Sequence, residues 1–147
     1  MQNESKRYQG GCLCGKVRYE LTEFEAKIAH CHCSMCRKFH GAAFASFGSV
    51  KQENFRWVQG ANELAAYQAS NGTVRRFCKH CGSSLTFAPS VDAVELIEIS
   101  LGSLDSDLER LPDAHIYIGS KANWDVISDD LPQYEEGRAS TCLNALK

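Results

Sequence analysis

The chain has 147 residues, of which 44% are hydrophobic and 23% are charged. These proportions are typical of a globular domain and exclude a fibrous or intrinsically disordered chain. Sixteen basic and eighteen acidic residues give a net charge of -2, so no general positive field attracts nucleic acid or an anionic membrane. No apolar run approaches the roughly 18 residues of a membrane span, and the first ten residues lack the apolar core of a secretory signal. We therefore expect a cytoplasmic protein without nucleic-acid or membrane partners, forming a single domain over residues 1–147 with its core at about 7–135.

Short alternating runs of β-branched and aromatic residues recur along the chain and predict β-strands. In the first run, Val17, Tyr19 and Leu21 alternate with polar residues, so we expect these three side chains to face the core. The predicted strands cover residues 16–21, 43–50, 55–58, 63–68, 73–77, 84–87, 94–101 and 115–118.

Two segments are predicted to form short helical turns. The first covers residues 34–39, with Ser34 as its N-cap, and the second covers residues 121–127. Because strands dominate the remainder, the sequence predicts a mainly β, small single-domain fold with short helical turns.

Seven of the eight cysteines fall into three tight clusters, and Cys142 stands apart. The clusters are Cys12 with Cys14, Cys31 with Cys33 and Cys36, and Cys78 with Cys81. Because disulfides are rare in a reducing cytosol, this pattern indicates metal binding or catalysis. Disulfide pairing is the alternative if the protein is secreted. We expect Cys142 to take no part.

The residues that follow the clusters predict which of them share an ion. Gly15 follows Cys14 and Gly82 follows Cys81, whereas Arg37 follows the middle cluster. A glycine at this point tolerates a positive φ and lets backbone N–H groups turn toward the sulfurs. The first and third clusters therefore form two matched turns, which suits one closed, structural zinc site. Its predicted ligands are Cys12, Cys14, Cys78 and Cys81.

The middle cluster supplies three thiolates and has no fourth cysteine nearby. Its members are Cys31, Cys33 and Cys36. Three protein ligands and one open position are typical of a catalytic zinc. Closure by a histidine is the alternative, and His40 is a better candidate than His30 or His32, since His32 lies between two ligands and is expected to point away. We expect His80 to be a surface residue.

The three clusters stand in the segments GGCLCGKVRYE, HCHCSMCRKFHGAAFASF and RRFCKHCGSSLTF. With these segments the chain resembles the glutathione-dependent formaldehyde-activating family, which also includes centromere protein V. The resemblance extends to PDAHIYIGSKANWDVISDDLPQYEEG near the C-terminus, including His115, Lys121, Trp124, Leu131, Pro132 and Tyr134.

The resemblance implies a β-tent-like fold and two zinc ions. It implies the same division of ligands, with Cys12, Cys14, Cys78 and Cys81 for a structural ion and Cys31, Cys33 and Cys36 for a catalytic one. It also implies that a zinc-held glutathione thiolate attacks formaldehyde to give S-hydroxymethylglutathione, a reaction classed with carbon–sulfur lyases.

Two hypotheses about function follow. The first is an enzyme in which the middle cluster holds a Lewis-acidic zinc and Arg37, Lys38 and His40 help to orient an anionic thiol. The second is a non-catalytic, zinc-stabilised interaction or thiol-carrier module. The sequence gives no indication of the oligomeric state.

Overall fold

Most of the predicted strands form in the computed structural model, which describes residues 7–92 and 95–145. The strands are β1 (Tyr8–Gly11), β2 (Arg18–Leu21), β3 (Ile28–Cys31), β4 (Ala45–Lys51), β5 (Phe55–Gln59), β6 (Leu64–Gln68), β7 (Val74–Cys78), β8 (Ser84–Ala88), β9 (Leu96–Ser100) and β10 (Ala114–Ile116). The α-helix is α1 (Ser34–His40), and single 3₁₀ turns cover Gln52–Asn54, Ala61–Glu63, Leu101–Ser103 and Ile118–Ser120. The mainly β prediction is confirmed. No helix in the described part of the chain is long and apolar enough to cross a membrane.

The described residues divide into two compact units. Unit 1 contains residues 7–26 and 48–109, apart from the undescribed positions 93–94. Unit 2 contains residues 27–47 and 110–145. Strand β4 contains the boundary, since residues 45–47 belong to unit 2 and residues 48–51 to unit 1. The prediction of a single domain stays a prediction.

In unit 1, β1, β2 and β5 form a three-stranded antiparallel sheet with β2 in the centre. Val17, Tyr19 and Leu21 are at most 1% exposed, so the alternation predicted for this run is confirmed. The Tyr19 ring packs against Phe55 and Trp57, with ring centroids 5.4 and 6.1 Å apart. Complete burial of an apolar side chain such as Val17 or Leu21 contributes roughly 1.5 to 3 kcal/mol to stability.

A second set of strands in unit 1 follows the order β4, β9, β8, β7, β6. Strands β6 to β9 pair in antiparallel fashion, and Val74, Leu85 and Ile99 on them are almost fully buried. The β7–β8 register shifts between Arg76 and Phe77, directly before the end of β7. A shift of this kind bends the strand locally.

In unit 2, β10 runs parallel to β3, and β4 lies on the other side of β3. The register places His115 beside His30 and Ile116 beside Cys31. The pairing continues past the strand end, where the His32 N–H donates to the Ile116 carbonyl at 2.9 Å. Residues far apart in the sequence therefore lie next to the middle cysteine cluster.

The start of α1 differs from its prediction by one residue. The N-cap is Cys33 rather than Ser34, and its sulfur accepts the Cys36 N–H at 3.3 Å. A thiol here performs the task that a serine hydroxyl usually performs.

The helical turn predicted for residues 121–127 is wrong. The Lys121 ammonium donates to the carbonyls of Ala122 and Asp125, at 3.1 and 2.5 Å. Lys121 itself has an extended backbone, with φ −55° and ψ 140°. Only one turn forms, closed by the Asp125 N–H on the Ala122 carbonyl three residues earlier.

Two strands were not predicted, and some boundaries differ. Strands β1 and β3 have only four residues each, and YQGG and IAHC lack a β-branched, alternating pattern. In the strand predicted over 94–101, position 94 lies outside the described residues, and the strand begins at Leu96. The strand predicted over 16–21 begins only at Arg18. The strand predicted over 115–118 already ends at Ile116.

Gly60 provides a test of the packing in unit 1. It has a φ of 74°, and a Cβ built on it would lie 2.0 Å from the Lys16 carbonyl oxygen. We expect Gly60→Ala to lower the free energy of unfolding by more than about 2 kcal/mol. Gly102→Ala is the matched control, because its Cβ would meet nothing within 4 Å. Urea unfolding of the two variants measures the difference, and equal losses would contradict this account.

Candidate metal centre

Four cysteines of unit 1 converge although they lie on two distant segments of the chain. This four-cysteine group consists of Cys12, Cys14, Cys78 and Cys81, whose sulfurs all lie within 4.8 Å of one another. Cys14 Sγ is 3.5 Å from Cys12 Sγ and 3.7 Å from Cys78 Sγ. A tetrahedral ion with zinc–sulfur bonds of about 2.3 Å separates its sulfurs by about 3.8 Å. The group therefore fits a tetrahedral metal ion.

A glycine completes the turn that carries each pair of this group. Gly15 has a φ of 82° and Gly82 has a φ of 79°, so the predicted positive φ is confirmed at both positions. Backbone N–H groups also point at the sulfurs. The Val17 N–H donates to Cys12 Sγ at 3.2 Å, and the N–H two residues after Cys78 donates to its sulfur at 3.4 Å. Such donors stabilise thiolates.

The middle cluster forms a second group, which lies in unit 2. This three-cysteine group consists of Cys31, Cys33 and Cys36, with all three sulfurs within 4.8 Å of one another. Cys31 ends β3, Cys33 caps α1, and Cys36 lies in its first turn. Cys31 and Cys36 are buried, whereas Cys33 is half-buried. Solvent therefore reaches the group on the Cys33 side.

The sulfurs of the three-cysteine group perturb one another. Hydrogen bonds from Cys31 and Cys36 lower the pKa of Cys33 to about 2, while the contacts with Cys33 and Cys36 raise the pKa of Cys31 far above its usual range. Without a cation the Cys33 thiolate is favoured and the Cys31 thiol stays protonated, because like charges this close cannot all ionise. A divalent cation removes this repulsion.

The four-cysteine group has the same asymmetry. A hydrogen bond from the Ser83 hydroxyl, whose oxygen is 3.2 Å from the sulfur, lowers the pKa of Cys81 to about 5. The Lys16 N–H favours the Cys14 thiolate, but desolvation and the neighbouring thiols outweigh that bond and raise the pKa of Cys14 to about 11. The donor chemistry of both groups fits a soft divalent ion such as zinc.

His40 and His30 were two candidates for a histidine ligand of the three-cysteine site. Among the described residues, neither of them joins the group. The His40 ring packs against Phe47, with ring centroids 5.3 Å apart. His30 Nδ1 lies 2.6 Å from the Ser46 hydroxyl oxygen. The structure thus brings three thiols together and leaves these candidates outside.

His80 and Cys142 lie where the sequence placed them. His80 is exposed and its Nε2 is 2.5 Å from a Glu63 carboxylate oxygen. Cys142 belongs to neither group, and its thiol donates to Asn144 Oδ1 at 3.4 Å.

A chain of four neighbouring polar side chains beside the three-cysteine group was not predicted. His32 and His115 are at most 2% exposed, and His32 Nε2 is 2.8 Å from His115 Nδ1. His115 Nε2 donates to the Asp129 carboxylate at 2.9 Å, and His32 Nδ1 lies 3.8 Å from Asp125 Oδ2. We call these four residues the histidine chain.

The histidine chain fixes the residue between two of the cysteines. The His32 ring is occupied by His115 and does not join the sulfur group, as predicted. Burial, assisted by the neighbouring His115, lowers the pKa of His32 to about 4, so this imidazole is neutral at neutral pH. No local pattern could reveal the contact, because His32 and His115 are 83 residues apart and the parallel pairing of β10 with β3 brings them together.

Comparison with models of protein families shows to which family the chain belongs. The model of the glutathione-dependent formaldehyde-activating enzyme family matches residues 7–120, which is more than half of the chain. The chain belongs to this family. The match contains both cysteine groups, and the resemblance recognised in the sequence is confirmed.

Two relatives of this chain are named as enzymes. A Halomonas elongata protein provisionally named a glutathione-dependent formaldehyde-activating enzyme is 31% identical over 124 residues, or 79% of this chain and 78% of that protein. A Schizosaccharomyces pombe protein named an uncharacterized lyase is 32% identical over 81 residues, or 55% of this chain and 57% of that protein. A Rhodobacter sphaeroides crystal structure matches with a TM-score of 0.57 and 27% identity, over 69% of this chain and 91% of that one.

Asp129 tests the histidine chain. The hydrogen bond from His115 lowers the pKa of Asp129, so the ionised carboxylate stabilises the fold. Since this side chain is 47% exposed, we expect Asp129→Asn to cost only about 1 kcal/mol of unfolding free energy at neutral pH. Because the folded-state pKa is depressed, the difference from wild type should begin to shrink below about pH 4, the ordinary pKa of an aspartate, and disappear as the pH falls through the lower pKa of the folded state. Asp130→Asn, at the exposed neighbouring position, is the control, and an equal effect in urea unfolding would refute the role of Asp129.

Proposed function

We propose that this protein is a zinc-dependent, carbon–sulfur lyase-like enzyme that acts on glutathione or a related thiol and an aldehyde, in the manner of an S-hydroxymethylglutathione synthase. The names of the family and of the relatives support an enzyme that uses a thiol. The observation that carries the proposal is the gathering of three thiols, with a fourth donor absent from the group among described residues.

The two cysteine groups take different roles in this proposal. Cys12, Cys14, Cys78 and Cys81 hold a structural zinc, because four thiolates complete a tetrahedron. Cys31, Cys33 and Cys36 hold a catalytic zinc, since three ligands leave one position for a substrate. We place the enzyme in the cytoplasm, where a reducing environment keeps such thiols available.

An ion in the three-cysteine group supplies a Lewis acid beside which a substrate thiol loses its proton. Cys31 and Cys36, both buried, anchor the inner side of the group, and the half-buried Cys33 faces the side from which substrate enters. In the reaction a carbon–sulfur bond forms between the thiol sulfur and the aldehyde carbon. The carbonyl electrons move to oxygen, which takes up the proton lost by the thiol, so the step needs no oxidant or reductant.

Two basic residues of α1 directly follow Cys36. Arg37 is half-buried and its Nε donates to the Ser120 carbonyl at 3.2 Å, while Lys38 is exposed. Their charges favour an anionic thiol such as glutathione. Arg37 in addition holds the 117–120 turn against the helix.

A non-catalytic thiol-carrier or interaction module is the second candidate. The burial of Cys31 and Cys36 favours it, since buried ligands are typical of structural sites.

Metal content and folding distinguish the enzyme from the non-catalytic module. We expect the wild type to hold two zinc ions, Cys33→Ala to hold one and remain folded, and Cys78→Ala to lose its fold. Cys142→Ala is the control and should keep both ions. Mass spectrometry under native conditions and circular dichroism provide the measurements, and unfolding of Cys33→Ala as severe as that of Cys78→Ala would favour the second candidate.

The named reaction is tested directly by kinetics. Zinc-loaded protein should accelerate the formation and the breakdown of S-hydroxymethylglutathione above the uncatalysed rate, and Cys33→Ala should return both rates to background. NMR exchange spectroscopy of glutathione with formaldehyde measures them. If wild-type protein leaves the background rate unchanged, this reaction is not its function.

A further inference from the structure

Tyr117 has an unusual backbone conformation. Among the described residues it is the one non-glycine position with a positive φ, at φ 58° and ψ 40°. Gly119, two residues later, has no such φ. A bulky residue in the left-handed region is strained, and strain of this kind persists where the surroundings impose it and is frequent at functional sites.

Hydrogen bonds on both sides hold Tyr117 in this conformation. Its N–H donates to the Glu136 carbonyl at 2.9 Å, and the next N–H, from Ile118, donates to the Tyr134 carbonyl at 3.0 Å. The Tyr117 carbonyl accepts the Ser120 N–H at 3.0 Å. The conformation is thus fixed by the fold of unit 2.

The turn that begins at Tyr117 is attached to both elements that carry the three-cysteine group. On one side, Ile116 pairs with Cys31 and accepts the His32 N–H. On the other side, Arg37 of α1 donates to the Ser120 carbonyl. The position of Tyr117 relative to the three sulfurs is therefore determined from both β3 and α1.

The Tyr117 side chain is open to solvent, although its backbone is held in place. The residue is 39% exposed, while Ile116 before it pairs with Cys31 and the Ser120 carbonyl after it accepts the Arg37 side chain. An exposed phenol therefore begins a turn that adjoins the three-cysteine group.

We propose that Tyr117 is a ligand-contacting residue of the three-cysteine site, whose hydroxyl hydrogen-bonds to the thiol, or to its aldehyde adduct, bound at the open position. The inference rests on the proposed function, because it requires that position to accept an external thiol. The observations behind it are the positive φ of Tyr117, its place directly after Ile116, which pairs with Cys31, and the exposure of its side chain.

Thiol binding to the full chain loaded with cobalt(II) in place of zinc tests this. Glutathione is titrated while the visible absorption of cobalt is recorded, and metal content and melting temperature are measured for each variant. We expect Tyr117→Phe to bind glutathione about five- to tenfold more weakly, the usual effect of one lost hydrogen bond, with unchanged metal content. Tyr67→Phe, at a tyrosine of unit 1 that is 54% exposed, should bind like the wild type. Tyr117→Gly should lose at least as much affinity and remain folded, because glycine adopts this conformation without strain.

The outcomes separate this inference from the proposed function. If the wild type changes its cobalt spectrum with glutathione and Tyr117→Phe or Tyr117→Gly binds it equally well, only the role of Tyr117 is overturned. The same holds if Tyr117→Phe loses metal, since the residue would then be structural. If the wild type binds no thiol, the proposed function fails and the role of Tyr117 fails with it.

Discussion

Repulsion between crowded thiolates is the constraint on which the two cysteine groups depend. The sulfurs in each group lie within 4.8 Å of one another, and each group contains one thiol whose pKa is lowered to about 5 or less and another whose pKa is raised to about 11 or beyond. Thiols arranged in this way cannot all ionise unless a cation lies between them. The free energy of binding such a cation therefore contributes to folding as well as to any chemistry.

The two groups reach this arrangement by different local means. In the four-cysteine group, glycines in the left-handed conformation turn each pair toward the other, and four sulfurs surround the central position. In the three-cysteine group, one cysteine ends a strand, one caps α1 and one lies within α1. The histidine chain then holds the residue between Cys31 and Cys33 in place. In the proposed function the first group is the closed site and the second is the open one.

The sequence allowed accurate prediction where the cause was local. Gly15 and Gly82 directly follow cysteines, and their positive φ could be expected from the order of residues alone. The alternation of Val17 and Tyr19 with polar residues likewise predicted which side chains are buried. The contact of His32 with His115 could not be predicted, because it depends on a parallel strand pair that joins distant segments. The helical turn expected over 121–127 did not form, because Lys121 adopts an extended backbone and only the turn from Ala122 to Asp125 closes. Helix propensity is a weak guide for so short a segment.

The central claim is that the three-cysteine group holds a zinc ion with one exchangeable position. X-ray absorption at the zinc edge of the doubly loaded protein, before and after addition of glutathione, measures this most directly. The account predicts an average of about 3.5 sulfur ligands per zinc without thiol, rising to about 4 with it. An average of 4 that does not change, or a histidine ligand that glutathione does not displace, would contradict it.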